Sequence, residues 1–203
     1  SNPYQYKDGL HFLPYDHFQF MLLCDEWLKK TTQSFCFHTQ VTRAYSESGR
    51  IVSVDAMISN KSLGFHPKAV IDTSGEDLLA TLLHIDSLTT SQYQAAAQVF
   101  QLSGVAGTDV AACNLGLIRA VQKGIASKML APHFERVSIV PGSFQNGNVL
   151  LKLPLPLTID DQLNNRTHLE IFSRNAVNGL VSYLTVNTEL FKNATHTFTA
   201  PEA

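Results

Sequence analysis

Charge of either sign is scarce in this chain: 15 Lys and Arg stand against 17 Asp and Glu in 203 residues, a formal net charge of −2 with the histidines neutral. No basic stripe is visible, so nucleic acid, whose binding depends on clustered Lys and Arg, is not an expected partner. Long hydrophobic runs are missing too. The longest, such as Phe18 to Cys24, fall far short of the roughly 20 residues that a bilayer-spanning helix needs, which excludes a membrane-spanning role for such a helix. Cysteine is limited to Cys24, Cys36 and Cys113, an odd number without metal-ligand spacing. They read as reduced, mostly buried thiols, and with no basic segment followed by a signal-type apolar region the expected setting is cytoplasmic. The eight histidines show neither H-E-x-x-H nor Cys/His spacing, and no G-x-S-x-G elbow occurs. Neither a zinc site nor a hydrolase triad is therefore expected, and no metal is assigned.

What is present is enough apolar material for a substantial core. Hydrophobic residues make up 44% of the chain and charged ones 16%, compatible with one large domain or two small ones. The chain begins Ser1-Asn2 without a methionine, which reads as a cloning scar on an internal fragment.

Asp16 is placed to cap a helix carrying Phe18, Met21, Leu22 and Trp27 at helical spacing and ending near Lys29-Lys30. Three strand candidates follow: "SFCFHTQVTRAYS", "RIVSVDAMIS" after a turn at Ser48-Gly49, and "GFHPKAVID". Period-two alternation in the first puts Phe35, Phe37, Thr39 and Val41 on one face. "AAAQVFQLSGV" is ambiguous between helix and strand. "DVAACNLGLIRAVQKGIASKML" has helical spacing through Ala112, Leu115, Ile118 and Val121, closed by Pro132. "RVSIV" and "VLLKLPL" read as strands around the turn "PGSFQNGN", Thr158 as the cap of a long amphipathic helix, and "HTFTAPEA" as extended. The order predicts an α/β or α+β fold, a sheet covered by helices.

The stretch "KAVIDTSGEDLLATLL", residues 68 to 83, carries the most chemistry. Ala69, Val70 and Ile71 read as a short buried strand; Asp72, Thr73, Ser74 and Gly75 break it; a helix is expected to open at Glu76 and Asp77. Glycine lets backbone approach a bulky ligand, and a helix N-terminus behind it offers N–H groups suited to a pyrophosphate or ribose oxygen. A plain helix cap with a glycine bend explains the same residues.

The order helix, "FCFHTQVTRAYSESGRIVSVDAMI", "KAVIDTSGEDLLATL" resembles the middle of FAD-dependent oxidoreductases of the two-dinucleotide-binding-domain type, in which a helix leads to a strand, a β-meander and a strand ending in an "iDATGdgdlA" turn. "ELFKNATHTFTAPEA" is similar to the stretch that precedes the family's arginine-containing FAD motif. Thr73-Ser74-Gly75 stands where the family has Ala-Thr-Gly, while the family's G-x-G-x-x-G fingerprint has no match in these residues. The resemblance implies that residues 1-84 are part of an FAD-binding domain, with Val41, Asp72, Thr73, Ser74, Gly75 and Glu76 at the cofactor, and that residues 85-203 are a mixed α+β substrate or cap region. It implies a flavoprotein oxidoreductase whose partners are FAD and a small organic molecule, inactive as this fragment alone. Arg119, Arg166 and Arg174 are the candidate substrate-binding residues, because a guanidinium fork suits a carboxylate. Arg166 and Glu170, four apart on the predicted helix, read first as an ordinary surface ion pair. The competing expectation is a non-enzymatic α+β binding or assembly module that docks a partner through an exposed apolar stripe on residues 158 to 190.

Overall fold

A computed structural model of the chain describes residues 4–5, 9, 11–12, 15–32, 34–86, 88, 95–107, 109–158 and 163–201. In chain order the elements are β1 (Tyr4–Gln5), β2 (His11–Phe12), α1 (His17–Thr31), β3 (Thr39–Glu47), β4 (Arg50–Ile58), β5 (Lys61–Phe65), α2 (Leu78–Leu82), β6 (Ala95–Ser103), α3 (Val110–Ala126), a 3-10 turn at Pro132–Arg136, β7 (Ser138–Ile139), β8 (Val149–Thr158), α4 (Leu163–Asn187) and β9 (Thr195–Thr199). Their pairings are antiparallel throughout, so the fold is α+β. Two compact units result, one of residues Asp16–Ser91 and one of Ser1–Tyr15 with Gln92–Ala203.

The Asp16–Ser91 unit is a helix and a three-stranded meander, β3-β4-β5. Asp16 caps α1 as its position suggests, its carboxylate accepting from the Gln19 N–H at 2.9 Å. Both meander turns have two residues with positive φ, Ser48-Gly49 and Ser59-Asn60. Such turns match the right-handed twist of paired strands, so the hairpins close tightly. A bulge at Thr42 interrupts β3, and its hydroxyl donates to the Asp55 carbonyl at 3.3 Å. Among the described residues of this unit only Ala56 is buried. The helical apolar set Phe18, Met21, Leu22 and Trp27 lies exposed.

Several expectations fail here. β3 begins at Thr39, so Phe35 and Phe37 precede it and do not share its face. The third strand ends at Phe65, and Ala69-Val70-Ile71 form no strand. Pro67 has no N–H to continue the ladder; Ile71, instead of being buried, is 87% exposed. Of the cysteines only Cys113 is buried, while Cys24 is half-buried and Cys36 exposed.

The second unit contains β6-α3-β7-β8-α4-β9, with sheet order β7-β8-β6-β9. Helices occupy the two crossovers between strands that are split by a third, which is the ferredoxin-like, split βαβ arrangement. "AAAQVFQLS" is the inner strand β6: Ala96, Gln98, Phe100 and Leu102 point to one buried face, joined there by Val149, Leu151, Leu153 and Leu155 of β8. Two helical stripes cover that face, Cys113, Leu117, Ala120, Val121 and Gly124 on α3 and Leu169, Ser173, Ala176, Val177, Leu180 and Leu184 on α4. Of the expected α3 positions Val121 lies in the buried stripe, but the rest of the stripe is rotated from them. Leu115 and Ile118 face outward while Cys113 and Leu117 are fully buried, because period alone cannot choose between two apolar faces of an Ala-rich helix. Pro132 opens the 3-10 turn rather than closing α3, and Thr158 ends β8 rather than capping α4. The Asn146-Gly147 turn has two positive φ values and joins the Gln145–Asn148 bridge, as a tight hairpin requires. Gly104, at φ +79, has no room for a side chain, since an added Cβ would lie 2.5 Å from the Asn193 carbonyl oxygen.

Candidate functional site

The Asp72–Glu76 turn is a self-contained cap. Asp72 accepts from the Ser74 N–H at 2.9 Å and from the Leu79 N–H at 2.8 Å. The Ser74 hydroxyl oxygen accepts from Glu76 N–H at 3.4 Å and Leu78 N–H at 3.3 Å. The Leu79 and Ser74 amides, followed by the Ser74 hydroxyl, hold the Asp72 carboxyl below its ordinary range. The helix that follows is five residues long and starts at Leu78, two residues later than Glu76, because Asp77 adopts a left-handed backbone at φ 50. Four amides at the turn and helix start, those of Ser74, Glu76, Leu78 and Leu79, are therefore engaged by the chain's own side chains rather than available to a pyrophosphate. One feature does fit close approach of a ligand. Gly75 has φ +81, and an added Cβ would meet no atom within 4 Å, so its backbone face is open. Val41 is half-buried in β3 opposite Ala56. The structure places α2 against β3, so the helix after the turn and the strand of Val41 are neighbours within one unit.

The three arginines are not brought together. Arg119 is exposed on α3, and Arg166 and Arg174 are exposed on α4. Glu170 pairs with Arg174, its Oε2 accepting from Nη2 at 3.1 Å. Arg174 alone of the three lines a cleft of about 430 Å³, with Val177 and Asn178 beside it on α4 and His196, Thr199, Ala200 and Pro201 opposite. The His196 Nε2 lies 2.6 Å from the Thr199 hydroxyl oxygen and 3.0 Å from the Phe198 carbonyl. Beneath this wall the buried Gln98 amide donates to the Ala200 carbonyl at 3.0 Å, and the Ala200 N–H donates to the Val99 carbonyl at 2.8 Å, which pins the end of β9. Sequence reasoning selected Arg174 for its chemistry but missed Asn178, His196 and Thr199. Only the antiparallel pairing of β9 with β6 brings positions 196 to 201 to the edge of α4, and "HTFTAPEA" carries no motif that announces it.

Other titratable groups have structural environments. His133 packs against the rings of Phe134 and Phe172, at centroid distances of 4.3 and 5.7 Å, and burial pushes its pKa down, favouring the neutral ring. Burial, followed by the nearby Asp109 carboxylate, pushes the Cys113 thiol up. Among the described residues no group of three or more His, Cys, Asp or Glu side chains is arranged to hold a metal ion. No helix among them is long and apolar enough to cross a membrane. The stripe of α4 is core, with Leu180 and Leu184 fully buried, so it is not the free docking surface that an assembly role for residues 158 to 190 requires. A scan against models of protein families finds no match to the chain, and searches of curated proteins and of solved structures find none either.

Proposed function

We propose that the chain is the central portion of an FAD-dependent oxidoreductase acting on a small organic substrate in a cytoplasmic setting, with residues 1-84 belonging to the flavin-binding domain and 85-203 forming the substrate region. The observation that supports this reading is the exposure of the Asp16–Ser91 unit. A helix, a three-stranded meander and a turn with a left-handed glycine follow in the order that the resemblance implies, yet Trp27, Phe37, Met57, Leu63 and Ile71 all lie on the surface. Three strands with a helix need an apolar face buried against another layer to be stable by themselves, and a flavin-binding domain would supply one. Residues 69 to 71, apolar yet outside any strand, suit a segment whose pairing partners belong to that layer.

In this reading the open backbone at Gly75 and the strand end at Val41 are where the chain meets the cofactor. The flavin, when bound, supplies the two-electron chemistry, while residues of this chain orient the substrate and exclude water. No side chain of the 16–91 unit is assigned a proton-transfer role.

FAD titration followed by flavin fluorescence, on this chain and on one extended at both ends, tests the reading. Binding by the extended protein only, lost in Gly75→Asn, is the expected result; Asn tolerates the left-handed backbone and adds a side chain where the open face was. Turnover by the 203-residue chain supplied with FAD contradicts the expectation that it is inactive alone. Absence of FAD binding by both proteins overturns the flavoenzyme reading and favours a non-enzymatic module whose docking surface lies on α1 and the meander rather than on α4.

A further inference from the structure

We propose that the cleft between α4 and β9 binds the carboxylate of a small organic molecule, with Arg174 as the cationic partner. Its volume of about 430 Å³ lies within the roughly 300–1,000 Å³ of small-molecule sites. Its polar lining consists of the Arg174 guanidinium and the side chains of Asn178, His196 and Thr199. Glu170 engages the Arg174 guanidinium through a single bond from Nη2, which holds the fork in place and leaves its remaining N–H groups for a ligand; the Arg174 side chain is 64% exposed while doing so. A planar guanidinium matches a carboxylate in two parallel hydrogen bonds, geometry that a point charge such as Lys does not offer.

The opposite wall supplies polar side chains, His196 and Thr199. His196 Nε2 lies 3.0 Å from the Phe198 carbonyl oxygen, which can only accept, so this contact is a hydrogen bond in the tautomer that carries the proton on Nε2. The same nitrogen lies 2.6 Å from the Thr199 hydroxyl oxygen. Thr199 lines the cleft, and its hydroxyl has both a donor and acceptor sites. Asn178 adds a side-chain amide, and the buried Val177 gives an apolar floor for the carbon skeleton. None of the lining residues is a carboxylate. Arg174, paired on one side with Glu170, together with the polar side chains of Asn178, His196 and Thr199 and an apolar floor suits a small monoanion with a hydrocarbon part. The inference concerns only the unit that contains its own core and needs no flavin, so failure of FAD to bind would leave it standing.

The test is a two-dimensional NMR titration of the 203-residue chain with propionate and benzoate, with propionamide and benzamide as uncharged controls of the same shape. The carboxylates are expected to shift resonances of Arg174, Asn178, His196 and Thr199 saturably, with a dissociation constant of about millimolar. Arg174→Gln is expected to weaken binding about tenfold, Arg174→Lys less, and Thr199→Val severalfold. Amides that shift the same resonances as strongly as the acids, binding unchanged in Arg174→Gln, or no saturable shift at these positions would each overturn the proposal. Arg174 lies at the surface and Thr199 is half-buried, and the spectrum of each variant reports directly whether it is folded.

Discussion

Trp27 and Leu180 both sit on helices with apolar residues at helical spacing, and their fates differ completely. Leu180 is fully buried in a core shared by α3, α4 and a four-stranded sheet, whereas Trp27 is 55% exposed on a helix without one buried residue. Spacing reports which side chains share a face; it does not report whether anything covers that face. The difference extends across the two units. In Gln92–Ala203 each fully buried Leu or Phe contributes about 1.5–3 kcal/mol relative to exposure. In Asp16–Ser91 only Ala56 is buried among the described residues, with Val41, Ile51, Val52, Val54 and Leu79 half-buried, so that contribution is smaller and order rests more on hairpin geometry, caps and backbone hydrogen bonds.

The contrast is most easily broken by truncating apolar side chains on both sides of it. Leu180→Ala is expected to destabilise the Gln92–Ala203 unit by about 2–5 kcal/mol, because it leaves a cavity in a packed interior. Ile71→Ala is expected to change stability by less than about 0.5 kcal/mol, since Ile71 packs against little. Urea unfolding monitored separately in the two units checks both. A loss at Ile71 comparable with that at Leu180 would mean that the segment is covered.

Thiol chemistry sharpens the same comparison. Cys36 is exposed, while Cys113 is fully buried and its pKa is raised by desolvation. A thiol-specific reagent is expected to label Cys36 rapidly and Cys113 only through opening of its unit, with Leu180→Ala accelerating Cys113 alone. Equal labelling rates would contradict a closed core around α3.

A smaller effect is expected at the 72–76 turn. The Asp72 carboxyl is held below its ordinary range in the folded chain, so its cap is fully present above the unfolded value of about 3.9 and is lost as pH falls through the lower folded value. The amide resonances of Ser74 and Leu79 should move together in an acid titration, with a midpoint below that of an ordinary aspartate. A midpoint at the ordinary value would mean that the two hydrogen bonds to Asp72 do not persist in solution.

These contrasts also explain how much was legible in the residues. Asp16 before an apolar run identified the start of α1, and Ser48-Gly49 identified the first hairpin, because both signals are local and have a mechanism in backbone hydrogen bonding or positive φ. The stretch 69–71 misled because a short apolar run bounded by turn residues fits a buried strand only when partner strands exist, and that is a property of distant sequence. The face of α3 was misplaced because Ala and Gly residues leave two stripes of similar apolarity. At the cleft, Arg174 was legible from guanidinium chemistry, but His196 and Thr199 became its neighbours only through strand order β8-β6-β9, which no local pattern encodes.

Native-state amide hydrogen exchange tests the central claim most directly, that one unit carries a closed core and the other is an uncovered layer. Amides of β6, β8, α3 and the Leu169–Leu184 part of α4 should exchange only by global opening of their unit, while those of α1 and the β3-β4-β5 meander should exchange through low-energy local opening, orders of magnitude faster. Protection of the meander equal to that of β6 would contradict the account, and with it the argument that Asp16–Ser91 needs a covering layer.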